Sequence, residues 1–492
     1  MKQLKFSART KTSAAVAILC LGASASTFAQ VDAKVTGRVH FDARNIESGL
    51  NNMLDRDSAS VSDNFEVRRA RIGVTGSINK DIGYEVVGNG VGGNTNWIDT
   101  AFINYGFNKK AQIRTGRFKQ PFSLEEMTSS NNIDFMERSY GNQMVPGKRL
   151  GAMVHGEPMT GLTYGVSVYQ DGFNEVTNQN SLGAKQAARL TLNLAQTQDI
   201  KDTVLHVGLG YTAGDSQVTP TNSGNTADTT QTTTRATVLA FRTEGRGLNN
   251  AYRAQIGGDT LLASSATSGL GYNQSANNAV TINQKLRGIE LAGARGPFKF
   301  QMETFNSKYN ATGVSETLGS STFVSTNMTV NAKAQYLELM YNITGESWAD
   351  AYKGGAFGGI KPKTNFMTDY GGVVGNGTGA WQVGFRASKY STDIANTATC
   401  VGTTASPGCA TTVTGTGINT SRVQNAESAT TNTYALNWIL NSNARVMFNY
   451  AETKFPHNVI LLDTNGTLSN TSLNSGATSS ERVFSVRTQI NF

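Results

Sequence analysis

At the C-terminus Phe484, Val486, Ile490 and Phe492 fall on one parity, and Ser485, Arg487, Gln489 and Asn491 fall on the other. The same period of two recurs upstream. Tyr434, Leu436, Trp438 and Leu440 alternate with Ala435, Asn437 and Ile439, and Val446, Phe448 and Tyr450 alternate with Arg445, Met447 and Asn449, across the short turn Asn441-Ser442-Asn443. Trp381, Val383 and Phe385 alternate with Gln382, Gly384 and Arg386; Leu205, Val207, Leu209 and Tyr211 with His206, Gly208 and Gly210; Val35, Gly37, Val39 and Phe41 with Thr36, Arg38, His40 and Asp42. Each run predicts a strand with one apolar and one polar face. A soluble sandwich and an inside-out membrane barrel both produce this pattern. A sandwich of this length would divide into domains, and no linker, Pro-rich hinge or shift in composition separates the halves. Runs of about ten residues match a tilted strand crossing a bilayer. Long Ser/Thr/Asn/Gly-rich stretches, such as Gly214 to Thr234 and Thr392 to Asn432, alternate with short turns. The prediction is all-β: a transmembrane antiparallel β-barrel of about 16 strands (16–18 by count), with short periplasmic turns and long extracellular loops. The strand count is ambiguous around Tyr252 to Ala263 and Tyr164 to Gln170. A barrel this wide leaves an aqueous channel.

Composition agrees. Charged residues make up 16% of the 492 positions, below the roughly 25% of an ordinary soluble domain. No segment after the leader approaches the roughly 18 apolar residues of a membrane-spanning helix. Sixteen Tyr, 22 Phe and 4 Trp, spread along the chain, argue against disorder. At the N-terminus Lys2, Lys5, Arg9 and Lys11 precede the apolar stretch Ala14 to Ala23, and Thr27-Phe28-Ala29 offers small residues for cleavage before Gln30. Residues 1–29 therefore read as a secretory signal peptide and 30–492 as one outer-membrane barrel domain. Leu19 before Cys20 argues against a lipoprotein signal. Removing this segment takes four basic and no acidic residues, and the formal charge falls from +8 to +4. Cys400 and Cys409 then remain. A close pair in an exported loop reads as a disulfide rather than a metal site, which needs further ligands.

The polar faces carry arginine. Phe65 and Val67 share one parity while Ile72 and Val74 share the other, so a bulge near Arg68-Arg69 is expected to absorb the slip and to turn Arg68, Arg69 and Arg71 toward the lumen. The alternative places some of them at the membrane rim or in a pair with Glu66. Arginine facing lipid costs about 2–4 kcal/mol at mid-bilayer, which favours the inward solution. Arg114, Arg117 and Lys119 follow just before Pro121, with uncertain parity, and Arg38, Arg386, Arg445 and Arg487 fall on polar faces as pore-lining candidates. Several cations in one confined lumen attract anions, and guanidinium forks fit oxyanions.

Four blocks resemble the phosphate-selective porins O and P: Phe65-Glu66-Val67-Arg68-Arg69-Ala70-Arg71-Ile72-Gly73-Val74, Gly116-Arg117-Phe118-Lys119-Gln120-Pro121-Phe122, Asp134-Phe135-Met136-Glu137-Arg138, and Pro146-Gly147-Lys148-Arg149-Leu150-Gly151. The Asn437 to Ala451 hairpin and the terminal Phe492 are similar too. The resemblance implies a sixteen-stranded barrel in the outer membrane of a Gram-negative cell. It also implies a homotrimer and anion passage through an arginine- and lysine-lined constriction. Within it Arg68 and Arg69 resemble the paired arginines, Lys119 the strand-end lysine, and Ser123 a nearby hydroxyl donor. One position departs from the family: after Thr128-Ser129-Ser130, where a basic residue often stands, this chain has Asn131, and Glu125 and Glu126 lie close by.

His40, His155, His206 and His457 are scattered without metal-ligand spacing, and no Gly-x-Ser-x-Gly elbow or phosphate loop occurs. No cofactor, metal or nucleic-acid partner is expected. The expected function is a passive, anion-preferring porin for phosphate or related small anions, embedded in outer-membrane lipid. The rivals are a general or small-organic-anion porin, and a barrel enzyme or surface adhesin working through its long loops.

Overall fold

A computed structural model describes residues 31–47, 63–91, 97–170, 184–218, 236–248, 251–256, 280–317, 323–366, 377–401, 421–460 and 477–492, together with four two-residue strand fragments between them. The segment read as a signal peptide and Cys409 lie outside the described residues. Cys400 stands near the end of a strand, opposite Val324.

Sixteen long strands form one closed antiparallel barrel. In chain order they are β1 (Asp32–Ile46), β2 (Asn64–Ser77), β3 (Ile82–Asn89), β4 (Ile98–Asn108), β5 (Ala111–Lys119), β6 (Lys148–Met159), β7 (Leu162–Gln170) and β8 (Ala184–Asn193). The second half comprises β9 (Thr203–Val218), β10 (Val280–Arg295), β11 (Phe298–Thr317), β12 (Phe323–Asn342), β13 (Ala380–Val401), β14 (Ser428–Asn441), β15 (Ala444–Ile460) and β16 (Ala477–Asn491). Neighbours in sequence are neighbours in space. The ring closes where β1 pairs with β16, from Arg38 opposite Asn491 to Ile46 opposite Val483. Closure leaves no strand edge unpaired in lipid. The ambiguity resolves in two ways: Leu162–Gln170 is a wall strand, while Tyr252–Ile256 belongs to a small separate sheet.

The period of two sets the two surfaces. Phe484, Ile490, Phe492, Tyr434 and Leu436 are exposed on the outside; Ser485, Arg487, Gln489, Ala435, Asn437 and Ile439 are buried inside. Two features depart from a simple porin outline. The two ends of the long stretch expected from Thr392 to Asn432 are wall strand, since β13 runs on to Val401 and β14 begins at Ser428. At the turn end, most connections are short, but the one between β12 and β13 spans 343–379, and its described part 343–366 folds inward, burying Trp348, Phe357 and Ile360. It is not a bare turn because its apolar side chains find cover only inside the barrel.

Three inward segments fill one side of the lumen. Loop 120–147 follows β5. A small sheet of Ala236–Phe241, Tyr252–Ile256 and Ser421–Asn425 enters from the loop end. Its Phe241 stacks on Tyr390 of β13 at 4.2 Å, and Tyr140 of loop 120–147 meets the same ring edge-on at 4.8 Å. Segment 343–366 closes in from the turn end. The open space that remains lies against β1–β6.

Candidate functional site

That space is a cavity of about 530 Å³ lined by β1–β6 and loop 120–147 alone. Two irregularities aim its charges. In β2 the pairing passes from His40 opposite Arg69 to Phe41 opposite Val67, so Arg68 is an extra residue. The bulge lets adjacent arginines serve one side of the sheet: Arg68 reaches Glu137 of the loop at 2.9 Å, and Arg69 and Arg71 line the cavity. In β4 the pairing passes from Val87 opposite Thr100 to Gly88 opposite Ile98, and the extra residue is Asp99. Asp99 pairs with Arg71 at 2.8 Å and with Lys148. Glu66 pairs with Arg44 instead of the arginines beside it in sequence. The uncertain parity of β5 has a local cause. Gly116 has φ 123, a left-handed backbone in which an added Cβ would meet Ala101 O at 2.2 Å. Strict alternation breaks there, and Arg114, Arg117, Phe118 and Lys119 all line the cavity.

Nine cationic and three acidic side chains line this space, so the field inside is positive. Asp99 is already neutralised, and Glu126 lies 3.5 Å from Arg138 and 3.9 Å from Lys119. Arg38, Arg69 and Arg114 have neutral partners. Arg38 donates to Ser130 Oγ at 2.8 Å, Arg69 to His40 Nδ1 at 3.3 Å, and Arg114 to Asn104 Oδ1 at 3.1 Å beneath the Phe102 ring. Among the described residues none of these three has a carboxylate within 4 Å. Arg138, Lys148, Arg149 and Asp99 line the same cavity and were missed by the site prediction. The first three sit in blocks that carry the family resemblance, but Asp99 has no sequence signal, its bulge being visible only in the strand pairing.

Four predicted residues are corrected. Ser123 is no donor to the channel: it is buried at the start of the short helix Leu124–Met127, where Oγ accepts the Glu126 N–H at 3.2 Å and donates to Glu303. Ser129, Ser130 and Thr100 supply hydroxyls to the cavity. Arg386, Arg445 and Arg487 point inward but lie under loop 120–147. Arg386 donates to Glu137 O at 3.0 Å and pairs with Glu125 and Glu244; Arg445 donates to Ile133 O at 3.0 Å; Arg487 donates to Met136 O at 2.6 Å and pairs with Asp42. Irregular backbone inside a barrel leaves carbonyls without ladder partners, and these guanidinium groups satisfy them. Glu137, on the loop, gathers Arg68, Arg487, Arg44 and Arg246 within 3.5 Å. Burial raises its carboxyl, but Arg68, followed by Arg487 and Arg246, overrides that effect and holds it well below the usual carboxylate range. Asn131 likewise does not line the constriction. It borders a separate space of about 40 Å³ beside Arg445, and its carbonyl accepts from Gln489 at 3.0 Å. In this chain the position that departs from the family thus faces the smaller space and not the cavity of the arginines.

The family model for phosphate-selective porin O and P matches residues 33–458. Porin O of Pseudomonas aeruginosa is 26% identical over 377 residues, 70% of each chain. Among solved structures, OmpT of Vibrio cholerae, expressed in the outer membrane, covers 95% of this chain and 99% of its own at 10% identity and a TM-score of 0.45. The outer-membrane channel DcaP of Acinetobacter baumannii covers 95% and 99% at 11% identity and the same TM-score of 0.45. With a closed sixteen-stranded wall and a family match across nearly the whole barrel, the chain belongs to the phosphate-selective porins O and P and is an outer-membrane porin of a Gram-negative cell.

Proposed function

We propose that the channel prefers anions and passes phosphate or related small oxyanions by passive diffusion, as a homotrimer of the kind the family implies. The observation that carries this reading is the set Arg38, Arg69 and Arg114, which face the cavity without a carboxylate partner. Two unit charges 4 Å apart attract by about 1 kcal/mol in bulk water but by about 4 kcal/mol at an effective dielectric near 20. A confined anion therefore recovers much of its lost hydration from these groups. Guanidinium forks, with the Ser130 hydroxyl nearby, match the several oxygens of a phosphate better than a single halide. Spreading the cations over four strands and the loop gives several moderate sites in place of one deep trap, which release requires. Arg71, Arg117, Lys119, Arg138 and Lys148 raise the surrounding potential.

Planar-bilayer recordings under a potassium chloride gradient test both levels. The expected result is an anion-selective reversal potential and a chloride current that falls when phosphate is added. A cation-selective potential overturns the reading. Anion selectivity with no phosphate inhibition leaves a general or small-organic-anion porin.

A further inference from the structure

The far wall of the barrel carries unpaired charge on its outer face. On β10–β13 the outward residues nearest the turn end are apolar, among them Leu291, Phe300, Leu339 and Phe385. Toward the loop end they become Lys285, Arg287, Lys308, Lys333 and Lys389, all exposed. The height of this group follows from one strand. On β10 Arg287 and Arg295 flank the apolar stretch, and eight residues at about 3.3 Å each span about 26 Å along the strand, or about 20 Å across the membrane after the usual barrel tilt. That is close to the roughly 25 Å apolar band of such barrels. Arg295 therefore lies at the turn-side edge of the band and Arg287 at the loop-side edge, the level of outer-leaflet head groups.

The register makes the group hard to explain as solvation alone. Lys285 stands directly opposite Lys308, and Arg287 and Lys333 flank Asn306 from either side. Like charges facing each other across a ladder repel. Among the described residues none of the five cations has a carboxylate within 4 Å. The outward acids nearby are Asp215, which accepts from Asn283 at 2.5 Å, and Asp393, opposite Asn331. The outward charge on β16 is treated differently: Arg482 pairs with Glu47 at 3.3 Å and Glu452 at 3.4 Å.

We propose that this face of β10–β13 binds the phosphorylated head group of an outer-leaflet glycolipid. A phosphate between Lys285 and Lys308 removes their repulsion and accepts from both ammonium groups, while Arg287 and Lys333 hold its other oxygens. The acyl chains then run down the apolar residues below, which gives a tethered phosphate an advantage over a free one. A second copy of this chain docked here would need its own carboxylates opposite these cations.

The purified porin in neutral detergent is titrated with bisphosphorylated lipid A and with the dephosphorylated lipid of the same acyl composition, and bound lipid is read by native mass spectrometry. The proposal expects binding of the phosphorylated lipid at least tenfold tighter than the dephosphorylated one. The double variant Lys285→Gln/Lys308→Gln should lose that preference, while Lys285→Arg/Lys308→Arg and Arg482→Gln should keep it. Millimolar inorganic phosphate should not displace the lipid. Equal binding of the two lipids overturns the proposal, as does an unaffected Gln double variant or displacement by free phosphate. A Gln double variant that changes oligomeric state but keeps the lipid preference also overturns it and makes this face an interface between copies. Bilayer ion selectivity should be the same in the Gln double variant as in the parent, so failure here leaves the channel reading standing.

Discussion

One extra residue at Arg68 and another at Asp99 determine which charges reach the pore. Without the first, strict alternation would place only one of Arg68 and Arg69 inside. Without the second, Asp99 would share the outward parity of Ile103 and Tyr105, both exposed. The first bulge was legible because apolar residues on either side disagree in parity. The second was not, since Ile98 alone stands before it and the inward-facing Phe102 blurs the apolar parity of Ile103 and Tyr105. Asp99 is the carboxylate that offsets Arg71 and Lys148, so it sets how positive the constriction is. Asp99→Asn removes one negative charge from a space where a neighbouring unit charge contributes about 4 kcal/mol at an effective dielectric near 20 and about 1 kcal/mol in water. The expected outcome is a several-fold higher anion-to-cation permeability ratio, read from the bilayer reversal potential. An unchanged or lower ratio would mean that Asp99 lies outside the conducting path.

Loop 120–147 shows why inward-facing residues are easier to find than pore-lining ones. The period of two correctly turns Arg386, Arg445 and Arg487 inward, but it carries no information about what occupies the lumen in front of them. The loop covers all three. Its own anchors are similarly hidden in the sequence. Glu303 of β11 accepts the Leu124 and Glu125 N–H groups at 3.0 and 2.8 Å, while Phe122 packs against Gly210 of β9 and Gly288 of β10. A Cβ at either glycine would approach that ring to 3.0 Å. These partners are more than eighty positions away along the chain, so no local pattern announces them. Phe122 is fully buried, and Phe→Ala at such sites costs about 3–5 kcal/mol. The barrel ladder does not depend on this ring, but the loop does. Phe122→Ala should therefore keep a folded barrel and give a larger, noisier single-channel conductance. A variant with parental conductance and noise would show that the polar clamps alone position the loop.

Across the whole molecule, the lumen is divided between a packed half and a conducting half. The closed wall was legible in the sequence, because alternation has to be maintained on every strand that separates lipid from water. The packed half was not legible, because segment 343–366 reads as a Gly-rich connection until its apolar residues are seen to share a core with the loop. In that core Trp348 and Phe357 lie with Leu124 and Phe135, and Lys299 sits 4.6 Å from the Trp348 ring while pairing with Asp134 of the loop. The connection from the turn end thus forms a floor under the constriction loop, and pore width depends on it without a single charge changing. Trp348→Ala should cost about 3–5 kcal/mol of that packing. Trp348 does not line the cavity that the cations of β1–β6 share, so width and selectivity should separate. Single-channel conductance is expected to rise while the reversal potential keeps its anion-selective sign and nearly its magnitude. A shift in selectivity at unchanged conductance would show instead that this floor acts on the charges of the constriction and not on its width.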